Sequence, residues 1–162
     1  MSKPKPQKRK LKFSDYDEMM VEVQALAESG YVSNGNWNLG QASSHVADWM
    51  LFPLDGFPVP PLPIRIMFWF MKKTVVPGMK RKILAEGFKG GVMTAPETVA
   101  GSDEYSDQQG QEKLRAAVDR VSSHTGSLYP SPLFGEMDMA MHHKVSLLHA
   151  EHHFGYLQPK LG

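Results

Sequence analysis

The chain of 162 residues has the length of one domain with a buried core. It holds no cysteine, which excludes disulfides and thiolate metal sites, fits a reducing cytoplasmic setting and leaves nitrogen and oxygen ligands for any metal. The net charge of +1 conceals a split: Lys3, Lys5, Lys8, Arg9, Lys10 and Lys12 crowd residues 1–12, and without them 12 basic residues stand against 17 acidic, a balance of −5.

The prolines and charge of residues 1–12 predict a basic tail that is disordered on its own. A solvated tail is the expected state, ahead of a nucleic-acid or membrane contact. The tail is not a signal peptide, because no sufficiently long apolar stretch follows it. The domain proper is expected over residues 13–162.

The first helix is expected from Phe13 to Ser29, with Ser14 as N-cap and Asp17 in a capping-box position. Tyr16, Met20, Val23 and Ala27 share one face, and Gly30 ends the helix. The second is expected from Leu39 to just before Pro53, capped by Asn38, with Leu39, Ala42, Val46, Trp49 and Met50 as its apolar stripe. A segment of about fifty residues rich in proline and glycine then crosses over to the third helix. Within it, "LFPLDGFPVPPLP" reads as an ordered loop, since each proline removes a donor and fixes φ. A short helix follows at 64–74. Its run Ile66-Met67-Phe68-Trp69-Phe70-Met71 is far shorter than the ~20 apolar residues of a membrane span. Packing against the protein is the reading for this helix, with a membrane surface as the rival. "EGFKGGVMTAPE" lacks the ending of a phosphate loop and reads as plain loop. The third long helix is expected over Ser106–His124, with Gly126 as terminator. The fourth is expected over Met139–Leu157, capped by Asp138. No strand pattern is visible. The expected fold is all-α: a four-helix bundle with a long Pro/Gly-rich crossover, carrying a short helix, between helices 2 and 3.

The last helix carries "LLHAEHHFGYLQP". His149 and His153 are one turn apart, at i and i+4, and can share an ion. With residues placed at ~100° each, Lys144 and Glu151 mark the solvent side, and His142, His149 and His153 point to the middle of the buried arc. His152 points ~90° away from His153. Two inward imidazoles need hydrogen bonds or a metal. His45, at the border of the second helix's stripe, is the candidate third ligand. Three neutral nitrogens leave coordination positions open, as in catalytic sites. Asp48 is a candidate acceptor orienting His45, although a salt bridge or solvation is its commoner fate. Trp49 and residues 57–71 are expected to line a substrate pocket, with His152 nearby, and His142 and Tyr156 are candidate proton carriers or substrate contacts. The spacing H-x-x-x-H matches that of zinc proteases, but Ala150 stands where their general-base glutamate is required, so a protease is excluded.

Trp37, Leu39, Gly40, Gln41 and His45, in a W-x-L-G-Q-x-x-x-H context, together with His149, His153 and Gly155, resemble the DinB-like (DinB/YfiT-like) metalloenzyme superfamily. "PLDGFP", "PLFGEM" and "HAEHHFGYLQP" look especially like a domain-of-unknown-function branch of it. The resemblance implies a four-helix bundle whose three histidines, here His45, His149 and His153, hold a divalent metal at one end. It also implies activities such as transferases and isomerases that use small bacterial thiols. Tyr156 stands where many relatives have glutamine, a departure that leaves the thiol-transferase role unsupported. The expected function is a divalent-metal-dependent enzyme (Zn, Ni, Mn or Fe) that activates a nucleophile, as a transferase on a low-molecular-weight thiol or as a hydrolase. The alternative is a non-catalytic bundle that binds metal or a small ligand and acts in protein interaction. A homodimer through an exposed apolar helix is a further expectation.

Overall fold

The computed structural model describes residues 7–89, 99–101, 103–132 and 134–160. Its described residues form six helices and one small sheet, in the order α1 (Tyr16–Ser29), β1 (Tyr31–Ser33), α2 (Leu39–Asp55), α3 (Leu62–Thr74), α4 (Val76–Glu86), α5 (Asp107–Ser123), α6 (Met139–Phe154) and β2 (Leu157–Pro159). Four of the six helices, α1, α2, α5 and α6, supply the apolar core, in which Met19, Leu26, Leu39, Val46, Leu114 and Phe154 are fully buried. The expected number of helices was therefore too small. The short helix of the crossover begins at Leu62, and α4 follows it almost directly. A proline near the N-terminus of α4 costs nothing there, because the first N–H groups of a helix have no partner within it. The rest of the expected glycine-rich loop, from residue 90 on, lies outside the described residues.

Capping explains most helix starts. Asn38 and Gln41 form a reciprocal capping box on α2, as do Ser106 and Gln109 on α5, and Asp138 caps α6 through Met141 N–H. On α1 the cap is Asp15 rather than Ser14: Asp15 accepts from Glu18 N–H, while Ser14 N–H donates to the Glu18 carboxylate. The stops are less local. α2 runs through Pro53 to Asp55. Pro53 sits in the last turn, where the missing donor costs one bond. Gly56 N–H closes that turn on Phe52 O, and Tyr129 N–H satisfies the Pro53 carbonyl at 2.7 Å. α5 ends at Ser123 because His124 is already extended, so Gly126 is not its terminator. α6 stops at Phe154, three residues short of the expectation, because Leu157–Pro159 is drawn into antiparallel pairing with Tyr31–Ser33. A three-residue strand is too short to show alternation, so this sheet had no sequence signal.

Two close approaches set the frame. A Cβ on Gly40 would lie 2.4 Å from Tyr105 O, and one on Gly110 would lie 2.7 Å from Gly40 Cα, so α2 and α5 cross backbone to backbone. Asp107 ties this crossing by accepting from Gly40 N–H at 3.0 Å and from the Tyr31 hydroxyl at 3.1 Å. At the other approach, a Cβ on Gly155 would lie 2.8 Å from Arg9 O. Residues 7–12, read from the sequence as tail, are docked here. Arg9 N–H donates to Gly155 O, its Nε to Leu157 O (each 2.8 Å), and its guanidinium pairs with Glu22. Glu151, expected on the solvent side, accepts from Phe13 N–H at 2.8 Å in the same seam.

Candidate metal centre

The strand pair decides where the histidines open. It holds the chain after α6 against the α1–α2 connection, and Asn34 N–H donates to Tyr156 O at 2.9 Å. That lays Trp37 over the end of α6. Its indole stacks on His153 at 4.8 Å and 16°, and packs tilted against His45 at 4.7 Å. His45 comes from the middle of α2 and is 2% exposed. His149 and His153 come from the last two turns of α6 and are partly buried.

The three rings meet through their Nε2 atoms. His149 Nε2 lies 3.2 Å from His45 Nε2 and 3.0 Å from His153 Nε2, and the three ligand atoms all fall within 4.8 Å of one another. Each neutral ring has one N–H and one lone pair, so His149 Nε2 cannot serve both neighbours by hydrogen bonds alone. A cation accepting all three lone pairs fits this donor set. Protonation is disfavoured at two of the three rings. Burial, followed by the neighbouring His45 and His152 charges, holds His149 well below the ordinary imidazole range. Burial, then His149, His45, His152 and Lys8, does the same for His153.

The α6 face differs from the expectation in one respect. Its buried arc is centred on Ala150 and Phe154 and runs from His142 to Leu147. His149 and His153 therefore stand at the border of this arc rather than in its middle. The small residues Ser146 and Ala150 are buried, while the large apolar residues Val145 and Leu148 are only partly so. A border position gives a metal site access to solvent and substrate.

The surroundings are aromatic. Trp49 approaches His149 edge-on at 5.9 Å, and Phe88, from the segment after α4, packs tilted against it at 5.3 Å. The Trp49 indole N–H is buried and has no hydrogen-bond partner. Phe88 has no periodicity or motif to mark it in the sequence. Lys8 also escapes sequence reasoning: its Nζ lies 3.0 Å from His152 Nδ1 and 5.7 Å from the Tyr156 ring centroid. Burial lowers the Lys8 pKa, with Glu151 opposing the shift. His152 is beside the triad but outside it. Its Nδ1 lies 2.9 Å from Phe88 O, and its ring meets Tyr156 edge-on at 5.5 Å. His142 is two turns away and buried, with Nε2 on Met50 O at 3.1 Å and Nδ1 3.4 Å from Ser146 Oγ. Asp48 does not turn to His45. Its carboxylate pairs with Lys113 at 2.8 Å, and Lys113 also donates to Ser44 Oγ. The expected pocket is divided too: residues 56–72 with Tyr129, Pro130 and Pro132 line a cleft of about 700 Å³ that excludes Trp49 and the three histidines.

Helical bundle and three-histidine cluster together define a protein of the kind found in the DinB-like metalloenzyme superfamily. The chain belongs to the family described as "Protein of unknown function (DUF1569)", whose model matches residues 5–160. Comparison with curated proteins and with solved structures returns no match.

Proposed function

We propose that the protein is a divalent-metal-dependent enzyme whose metal is held by His45, His149 and His153. The observation that carries this reading is the meeting of three imidazole Nε2 atoms, with His149 Nε2 within 3.2 Å of both others. A divalent ion on three neutral nitrogens supplies Lewis acidity and lowers the pKa of a water or thiol bound beside it. An all-imidazole donor set suits Zn, Ni, Mn or Fe, with availability selecting among them.

The chain's own groups prepare the site. Trp37, stacked on His153 and packed on His45, fixes two rings in their ligating orientation. Trp49 and Phe88 wall the His149 side and exclude water, which strengthens electrostatic interactions inside. The unpartnered Trp49 N–H is a donor for a substrate oxygen or sulfur. Lys8 and His152 offer a cation and a proton carrier on the Tyr156 side. This surface suits a substrate with an apolar body and an anionic group. The reaction class is transfer to a small thiol or hydrolysis.

Elemental analysis of the purified chain, after supply of Zn, Ni, Mn and Fe in turn, tests the site. One equivalent is expected in the wild type, with loss in His45→Ala, His149→Ala and His153→Ala and retention in His152→Ala. Absence of stoichiometric metal in the wild type would overturn the reading. A thiol-conjugation and ester-hydrolysis screen, with metal present and removed, then separates an enzyme from a metal-binding protein without turnover.

A further inference from the structure

Helix α3 is apolar on two opposite sides and buries none of its residues. At ~100° per residue, Ile64, Phe68 and Met71 face one way and are partly buried. Leu62, Ile66, Trp69 and Phe70 occupy an arc of about 100° on the other side, and the last three are 59–63% exposed. Val59, which lines the same cleft as Leu62, Ile66 and Trp69, extends this surface at 80% exposed. A helix apolar all round is ordinarily covered on both sides. Here, among the described residues, the second side is exposed, with Leu62, Ile66 and Trp69 lining the cleft that Tyr129 and Pro130 also line.

The charge beside that face is one-sided. Residues 57–89 contain seven basic residues and one acidic, Glu86. Arg65 and Lys72 flank the outward arc, and the Lys73 ammonium sits 4.2 Å from the Trp69 ring centroid. Arg81 and Lys82 are exposed on α4. The exposed aromatic face of α3 therefore sits in a stretch of chain dominated by cations.

Three occupants compete for this face. A second copy across a two-fold axis sets the same patch on itself, and so opposes cation to cation. A nucleic acid uses the cations but gains little from burying Leu62 and Ile66. An anionic bilayer uses both, taking aromatic and aliphatic side chains into the headgroup and acyl boundary while the flanking cations meet lipid phosphates.

We propose that the outward face of α3, with the cations of α3 and α4 around it, docks the protein on an anionic membrane surface. The helix lies in the interface rather than crossing it. No helix among the described residues is long and apolar enough to cross a membrane.

Flotation of the full chain with vesicles tests this. Binding is expected to vesicles of phosphatidylcholine and phosphatidylglycerol in equal parts, and not to phosphatidylcholine alone, with release at high salt. Lys72→Gln together with Lys73→Gln is expected to lower the partition coefficient about 25-fold, at about 5-fold per cation. Trp69→Glu and Phe70→Glu are expected to abolish flotation while thermal melting stays unchanged, because both side chains are exposed. Failure of the wild type to float, equal flotation on neutral vesicles, or undiminished flotation of Phe70→Glu would overturn the proposal. So would sedimentation equilibrium showing a dimer that Phe70→Glu dissociates. An oligonucleotide bound equally well by wild type and Phe70→Glu, with no vesicle binding, would reassign the cations to nucleic acid.

Discussion

At the residue scale, the seven histidines of this chain divide by environment rather than by type. His142 is the clearest contrast to the triad. It is 2% exposed, bonded to Met50 O, and pushed down from the ordinary 6.5 to about 4, mainly by burial and then by His143. A depressed histidine pKa means that the unfolded chain takes up the proton first as pH falls. The neutral form's stabilisation is therefore complete above pH 6.5 and lost progressively as pH drops towards 4, to the extent of about 3 kcal/mol. His142→Leu leaves the Met50 carbonyl without this donor and is expected to cost about 1–3 kcal/mol near neutrality. Denaturant titrations at several pH values check the sign: the gap between wild type and variant should narrow between pH 6.5 and 4. A gap independent of pH would show that His142 does not titrate in this way. His142 shares its direction on the helix with His149 and His153 but lies two turns from His149, too far along the axis to join the cluster.

At the element scale, the site depends on how α6 ends. A Cβ on Gly155 would press on Arg9 O, although its φ of −59° suits any residue, so the glycine is required by proximity and not by dihedral. Gly155→Ala is expected to push the segment around Arg9 off the helix end and to destabilise the fold by about 1–3 kcal/mol. Its metal affinity should fall as well, since Lys8 and Trp37 lie against the same turn; isothermal titration with Zn or Ni reads this directly. Unchanged stability and affinity would mean that the seam yields freely. The starts of α2 and α6 and the apolar stripe of α2 were legible because a helix cap is a local device, complete within four residues. The end of α6 was not. Nothing in "HHFGYLQP" states that Leu157 will pair with Ser33, because the partner lies more than a hundred residues away and the strand is three residues long.

At the scale of the whole molecule, the N-terminal segment changes role most. Composition alone makes residues 1–12 a polar, basic tail, yet Arg9 satisfies three partners on two elements, Gly155 O, Leu157 O and Glu22. Deleting residues 1–12 is expected to cost about 2 kcal/mol, which corresponds to a fall of about 4–8 °C in Tm for a domain of this size. Calorimetry of the truncated and full chains checks it, and an unchanged Tm would return the segment to a solvated tail. The same deletion leaves the cations of α3 and α4 in place, and should leave vesicle binding intact.

What the sequence by itself determined is what periodicity, caps and spacing encode within a few turns: the helices of the core, and His149 and His153 one turn apart on the last of them, with His45 picked out as the histidine to join them. Tertiary structure alone decided that Asp48 serves Lys113, that the histidines stand at the border of the core, that Trp37 and Phe88 wall them, and that α3 leaves a face open. The physical reason is common to these. A helix face is written in residues three and four apart, whereas which face meets which neighbour depends on close approaches such as Gly40 on Gly110 and Gly155 on Arg9, where the absence of a side chain carries the information.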